Sequence, residues 1–343
     1  MEYITGYGED LWLAGTFTYR LKGYKEQPTP HYTRPFYQMT EEMFSTLQCF
    51  GSENSFDVWA RYCNEFLTKY PKNLPKFGVF HYGAFSDDSI SDIQNLDEKI
   101  KIHFENLYND GYFENTVVFV GSDHGHRFSA SRETQQGQLE ERLPFMSIIL
   151  PEKFKKTDKG NNVFTNLKNN VNYLSSPFDI YATFLDILNL HDDLTSLQNT
   201  ANRSLSLFRP ILETGTCKDA DIEPHWCTCL KWETADRETA RLLAEGVVDA
   251  INDYTSAERR LCASLKLDLL IRYEMLVPDK KIPGNAKYEA TVQYDSKSNI
   301  LTVDVLAISH VNKYGDTPHC IIDKNFFMAT YCVCYDKIRS RGS

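Results

Sequence analysis

The tightest constraint on the fold is an apolar run that stops abruptly. Thr116-Val117-Val118-Phe119-Val120-Gly121 leads straight into Ser122-Asp123-His124-Gly125-His126-Arg127. Four bulky apolar residues in succession predict a fully buried strand, of the kind found in parallel sheets covered on both faces. Asp and His at the carboxyl end of such a strand stand where an open α/β sheet gathers its ligands. The carboxylate offers a hard oxygen and the imidazole a neutral nitrogen, so the pair suits a divalent ion such as zinc or manganese. Gly125 lets the backbone turn tightly, and Arg127 can meet an anionic ester through its guanidinium fork. The plainer reading makes Asp123 a helix cap and His124 a core residue.

The flanking pattern supports an α/β chain. Phe77-Gly78-Val79-Phe80 predicts a second short buried strand ending in the loop Ala84-Phe85-Ser86-Asp87-Asp88-Ser89. A helix over 91–109 follows, with Ile93, Leu96, Ile100, Phe104 and Leu107 on one face and Gly111 as its left-handed cap. Strand, helix and strand in this order predict a βαβ unit in a parallel sheet. A helix over 55–70 carries Trp59, Cys63, Phe66 and Tyr70 on one face, which makes Cys63 a buried thiol. The loop 27–35 has prolines that exclude helix interior. Residues 145–150 predict a strand. Ser176-Pro177-Phe178-Asp179 is a capping box that starts a helix to about 190, with Tyr181, Phe184, Leu185 and Leu188 as its core stripe.

A composition shift near 215 predicts two regions, 1–215 and 216–343. The second holds a helix over 236–251, a hairpin over 288–294 and 300–305, and seven of the nine cysteines. Two of its pairs are C-x-C, Cys227/Cys229 and Cys332/Cys334, a poor match to zinc-ligand spacing. A disulfide-stapled region of an exported protein fits better, and the odd total leaves one cysteine free or paired outside the chain. Asn202-Arg203-Ser204 is the one glycosylation sequon.

A net charge of −10, with no concentrated basic patch, argues against a nucleic-acid or anionic-membrane partner. No run approaches the roughly 18 apolar residues that span a bilayer, and residues 1–10 lack the features of a signal peptide. The oligomeric state has no signature in the sequence. Further metal-ligand candidates are Asp87, Asp88, His81, His126 and His225. The loop acids equally suit a solvated turn, and His225, beside Cys227, equally suits packing against a disulfide. Arg127, Arg132 and Arg142 can bind a small anionic ester or form salt bridges. No G-x-S-x-G elbow and no phosphate-cradling glycine loop occurs.

Taken in order, several segments resemble one family. They are Tyr3-Ile4-Thr5-Gly6-Tyr7-Gly8-Glu9-Asp10, the 27–35 loop with Tyr32 and Arg34-Pro35, and Ser122-Asp123-His124-Gly125-x-Arg127. Thr134-x-Gln136-Gly137-x-Leu139-Glu140-Glu141-Arg142-Leu143-Pro144-Phe145, Ser176-Pro177-Phe178-Asp179 and Tyr331-Cys332-x-Cys334 follow. The chain resembles the animal family called domain of unknown function 229, abundant in nematodes, of the alkaline phosphatase and sulfatase superfamily. That resemblance implies a doubly wound, mostly parallel α/β fold with a metal site, in proteins of the secretory route. It assigns metal ligation to Asp123 and His124, while Ser86-Asp87 stands where the family carries Ser-His.

The superfamily's nucleophile precedes these segments, so no residue here takes that role. The expectation is therefore an amino-terminally truncated segment, lacking early sheet units and with little turnover as encoded. The alternative is a non-catalytic extracellular interaction protein that kept the fold.

Overall fold

The computed structural model describes residues 3–19, 21–44, 49–86, 91–128, 130–188, 203–211, 216–223, 225–229, 236–270, 288–290, 293–295, 300–310 and 316–338. The chain divides into two compact units, Met1–Phe119 with Ser147–Lys153, and Val120–Met146 with the residues from Phe154 onward. The composition shift at 215 falls inside the second unit.

In the first unit, β1 (Ile4–Glu9) is the centre of a parallel three-stranded sheet, with β2 (His31–Tyr32) on one side and β5 (Lys76–His81) on the other. Between them lie α1 (Arg34–Met43), the small hairpin β3 (Cys49–Phe50) and β4 (Glu53–Asn54), and α2 (Ser55–Thr68). Pro35 sits in the first turn of α1, where its missing N–H costs nothing. Asn54 caps α2 by accepting from Phe56 N at 2.9 Å.

Gly6 and Gly78 are direct partners in the sheet, and Phe66 of α2 lies over both. A Cβ on Gly6 would stand 2.7 Å from the Phe66 ring, and one on Gly78 2.9 Å. The paired glycines are what let the helix lie on the sheet. Cys63, on the same helix, is buried as its spacing predicts, and burial pushes its thiol pKa up.

The predicted helix over 91–109 is a short 3-10 turn, Asp92–Leu96, running into α3 (Asp97–Asn109). Gly111 takes the left-handed conformation at its end, φ 75°. Leu96 and Leu107 are buried, but Ile93 is 43% exposed because it lies in the 3-10 turn, out of phase with the α-helical stripe.

The strand–helix–strand order continues with β6 (Val118–Gly121), yet β5 and β6 are in different sheets. β6 pairs with β7 (Met146–Ile149), and among the described residues neither strand has a second neighbour. The apolar run 118–120 is accordingly half-buried rather than fully buried, and β5, an edge strand, exposes Phe77 and Val79. A strand with one bonded flank cannot be enclosed as a central parallel strand is. The result is a mixed α/β chain with a parallel sheet.

The second unit holds α4 (Gln135–Arg142). After α5 (Glu152–Lys155), which spans the unit boundary, come α6 (Asp158–Asn170), α7 (Pro177–Leu188) and α8 (Arg237–Tyr254). The Ser176 capping box forms as predicted, with Ser176 N donating to Asp179 Oδ2 at 2.6 Å. The core stripe of α7 differs from the prediction: Tyr181 and Leu188 are exposed, while Asp179, Thr183 and Asp186 are buried. Their partners explain the reversal.

The segment 205–211 runs along α6 and α7, and its backbone is held by their side chains. Leu205 N donates to Asp179 Oδ1 at 2.7 Å and Leu207 N to Thr183 Oγ1 at 2.8 Å. Arg209 makes a two-bond fork to Asp186, each bond 3.0 Å. From α6, Asn166 donates to Phe208 O, and Asn170 donates to Leu207 O and Arg209 O while accepting from Ile211 N. A polar helix face can be buried when every group on it is bonded. Asn170→Ala, which removes three of these bonds, is expected to cost about 2 kcal/mol, read as a lower urea midpoint at unchanged slope.

The cysteine-rich region forms three disulfides, Cys217–Cys227, Cys262–Cys332 and Cys320–Cys334. The last two sit in a small core with Ile321, Met328 and Ala329. Three cysteines are free, Cys49, Cys63 and Cys229, where the odd total required at least one.

The predicted hairpin forms as two nested antiparallel pairs. β9 (Gln293–Asp295) pairs with β10 (Ile300–Thr302), and β8 (Tyr288–Ala290) pairs with β11 (Ile308–His310). The register shifts by three residues between the pairs, where the 3-10 turn Val305–Ala307 is inserted. No helix among the described residues is long and apolar enough to cross a membrane.

Candidate metal centre

The loop after β6 is built by α4. Thr134 caps that helix by accepting from Gly137 N at 3.1 Å, and the helix ends against the loop. Gly125 N donates to Glu141 O at 2.9 Å. A Cβ on Gly125 would stand 2.2 Å from Glu140 O, so only glycine lets the two backbones meet. Ser122 Oγ donates to His124 O, and Ser122 N donates to Phe145 O at 3.0 Å. The loop is thus fixed at both ends.

Within it, Asp123 and His124 face each other, with Oδ2 and Nε2 3.4 Å apart. Asp123 Oδ1 accepts from His124 N at 2.9 Å, which leaves Oδ2 outward. His124 Nδ1 lies 2.7 Å from Gly125 O. A carbonyl oxygen only accepts, so Nδ1 carries a hydrogen, and in the neutral ring Nε2 is then the nitrogen with a lone pair on the side of Oδ2. Two acceptors facing each other are complementary to a cation placed between them.

The spacing fits as well. Two ligands bound at about 2.1 Å to a tetrahedral ion lie about 3.4 Å apart. The backbone carbonyl on the far ring nitrogen is the usual orienting contact behind a metal-bound histidine. Both side chains are accessible, Asp123 at 67% and His124 at 37%. The two side chains are spaced as two ligands of one divalent ion would be.

The other predicted residues are placed as follows. Arg127 is half-exposed, its Nε 3.9 Å from Glu141 Oε1. Arg132 is buried and ion-paired with Glu141 Oε2. Arg142 lies over the Trp226 ring, 5.4 Å from its centroid. His126 is half-buried. His225 is 1% exposed, with Nε2 2.9 Å from Ser309 Oγ and its ring edge-on to Trp226. Among the described residues, no group of three potential ligands within 4.8 Å includes Asp123 or His124, so His225 does not join the pair there. Asp87 and Asp88 lie outside the described residues, as does Asn202 of the sequon. His81 ends β5 in the first unit and is exposed.

The sequence reading missed two carboxylates. Glu141 holds the loop through its backbone and both its oxygens, but in Glu140-Glu141-Arg142 it reads as one more solvated helix charge. Asp10 follows β1 and is 4% exposed. Its Oδ1 accepts from Gly83 N at 2.7 Å and Oδ2 from Ala84 N at 2.9 Å, joining the carboxyl ends of β1 and β5. A carboxylate directly after a strand was the available signal.

Burial pushes the Asp10 pKa up to about 6, against the lowering effect of the two N–H groups. The folded state then holds this proton more tightly than the unfolded chain, whose pKa is about 3.9. The stabilising contribution is full below about pH 4 and is lost as pH rises through about 6. Between those limits the group is expected to lower stability by about 3 kcal/mol. Asp10→Asn should flatten that part of the stability–pH curve, measured by urea unfolding at pH 4, 5, 6 and 7.

Fold and site together define a mixed α/β protein with a disulfide-rich carboxyl-terminal region and an oriented Asp-His pair after a strand. The chain belongs to the family described as protein of unknown function (DUF229), whose model matches residues 1–270. No match is found among curated proteins or among solved structures.

Proposed function

We propose that Asp123 and His124 are two ligands of a divalent metal, zinc or manganese, in a hydrolase-type site for small phosphate or sulfate esters on a doubly wound, alkaline-phosphatase-like fold. The observation that carries this reading is the 3.4 Å separation of Asp123 Oδ2 and His124 Nε2, with Nδ1 tied to Gly125 O. When bound, such an ion supplies positive charge to an ester oxygen. Arg127, half-exposed four residues after Asp123, is the side chain of the loop that would meet the remaining anionic oxygens. The three disulfides support a secreted or otherwise extracellular protein, since such pairs persist in oxidising compartments.

Titration of the full chain with zinc and with manganese, followed by calorimetry, tests the pair. Asp123→Ala and His124→Ala are each expected to weaken binding at least 100-fold, about 2.7 kcal/mol, while leaving the unfolding midpoint unchanged. Equal affinity in the parent and both variants removes the metal centre. It would favour the interaction-protein reading, for which the engagement of Arg132 and Arg127 by Glu141 is the supporting observation.

A further inference from the structure

The second unit holds a chemistry that this site does not use. Cys229 is an exposed free thiol, and its Sγ lies within 4.8 Å of both sulfurs of the Cys217–Cys227 disulfide. Cys217 and Cys227 are buried, so the disulfide is shielded while the third sulfur faces solvent. The C-x-C spacing of Cys227 and Cys229 holds the free thiol at the disulfide.

We propose that Cys217, Cys227 and Cys229 form a thiol–disulfide exchange site, in which Cys229 displaces Cys227 from Cys217. The Cys229 thiolate attacks Cys217 Sγ, a Cys217–Cys229 bond forms, and the Cys217–Cys227 bond breaks. Cys227 leaves as a thiolate and takes up the proton that Cys229 released. One disulfide and one thiol are present before and after, so no oxidant or reductant is consumed. The new pairing lengthens the closed loop by two residues, which changes the equilibrium only about 1.3-fold through chain entropy. Loop closure thus does not oppose the exchange, which moves the reactive thiol between an exposed and a buried position.

The test uses the full chain purified without reductant. It is held at pH 8, quenched in acid, alkylated with maleimide under denaturing acidic conditions, and mapped by mass spectrometry without reduction. Two species are expected: Cys217–Cys227 with label on Cys229, and Cys217–Cys229 with label on Cys227. A Cys227→Ser chain is expected to contain Cys217–Cys229 and no label at either position; if it does not fold, the map of the parent chain decides alone. Label on Cys229 alone, on Cys217, or on all three cysteines overturns the proposal. The last pattern would make the trio a set of free thiols, as in a metal site.

Discussion

Glu141→Gln is expected to destabilise the chain by about 4 kcal/mol, the usual cost of stripping one partner from a buried ion pair. The Arg132 and Glu141 side chains are 2% and 7% exposed, so water cannot replace the lost charge. The glutamine amide would also place N–H groups against guanidinium N–H groups. Because Glu141 also faces Arg127, and its backbone oxygen holds Gly125, the loop carrying Asp123 and His124 loosens with it. Urea unfolding measures the first effect, and weaker zinc affinity at a temperature where the variant is folded measures the second. The double change Arg132→Met with Glu141→Leu should recover most of the stability, because the cost lies in the orphaned charge rather than in the loss of the pair. A single variant as stable as the parent would show that water reaches this pair.

Removing Cys262–Cys332 should cost a similar amount. This disulfide spans 70 residues, and closing a loop of that length removes about 4 kcal/mol of unfolded-state entropy. The span encloses the nested hairpin, including Ser309, whose hydroxyl contacts His225. It also anchors the small core of Ile321, Met328 and Ala329, which is too limited to persist on burial alone. Cys262→Ala with Cys332→Ala leaves no stray thiol beside Cys320–Cys334. The expected result is loss of cooperative unfolding in the carboxyl-terminal region, seen as rapid amide exchange at 316–338. Retained protection there would assign the stability to side-chain packing.

The sequence revealed what depends on local pattern. Helix α2 with its buried Cys63, the Gly111 cap, the Ser176 capping box, the hairpin register region and the disulfide-rich third all follow from spacing and residue type within a few turns. What stayed hidden depends on distant chain. The buried face of α7 is Asp179, Thr183 and Asp186, a polar stripe that a search for apolar periodicity passes over. It is buried because residues 205–211 bring their backbone groups to it. Asp10 and Glu141 are hidden for the same reason, since a carboxylate reveals its burial only through the partners the fold delivers.

The opposite error occurs in β5 and β6, whose apolar runs read as enclosed strands. Each has one bonded flank among the described residues, and their exposure follows sheet position rather than composition. At the candidate centre, the Asp-His dipeptide was legible, but the ring orientation on which the metal proposal rests was not. The Nδ1 contact to Gly125 O depends on a turn whose geometry is set by Glu140 and Glu141 on the following helix.

The most direct test is the location of the ion itself. Crystals of the full chain soaked in zinc and measured at its absorption edge should show an anomalous peak about 2 Å from both Asp123 Oδ2 and His124 Nε2. The His124 ring should keep its Nδ1 contact to Gly125 O. Zinc found elsewhere in the chain, with none between Asp123 and His124, would contradict the account.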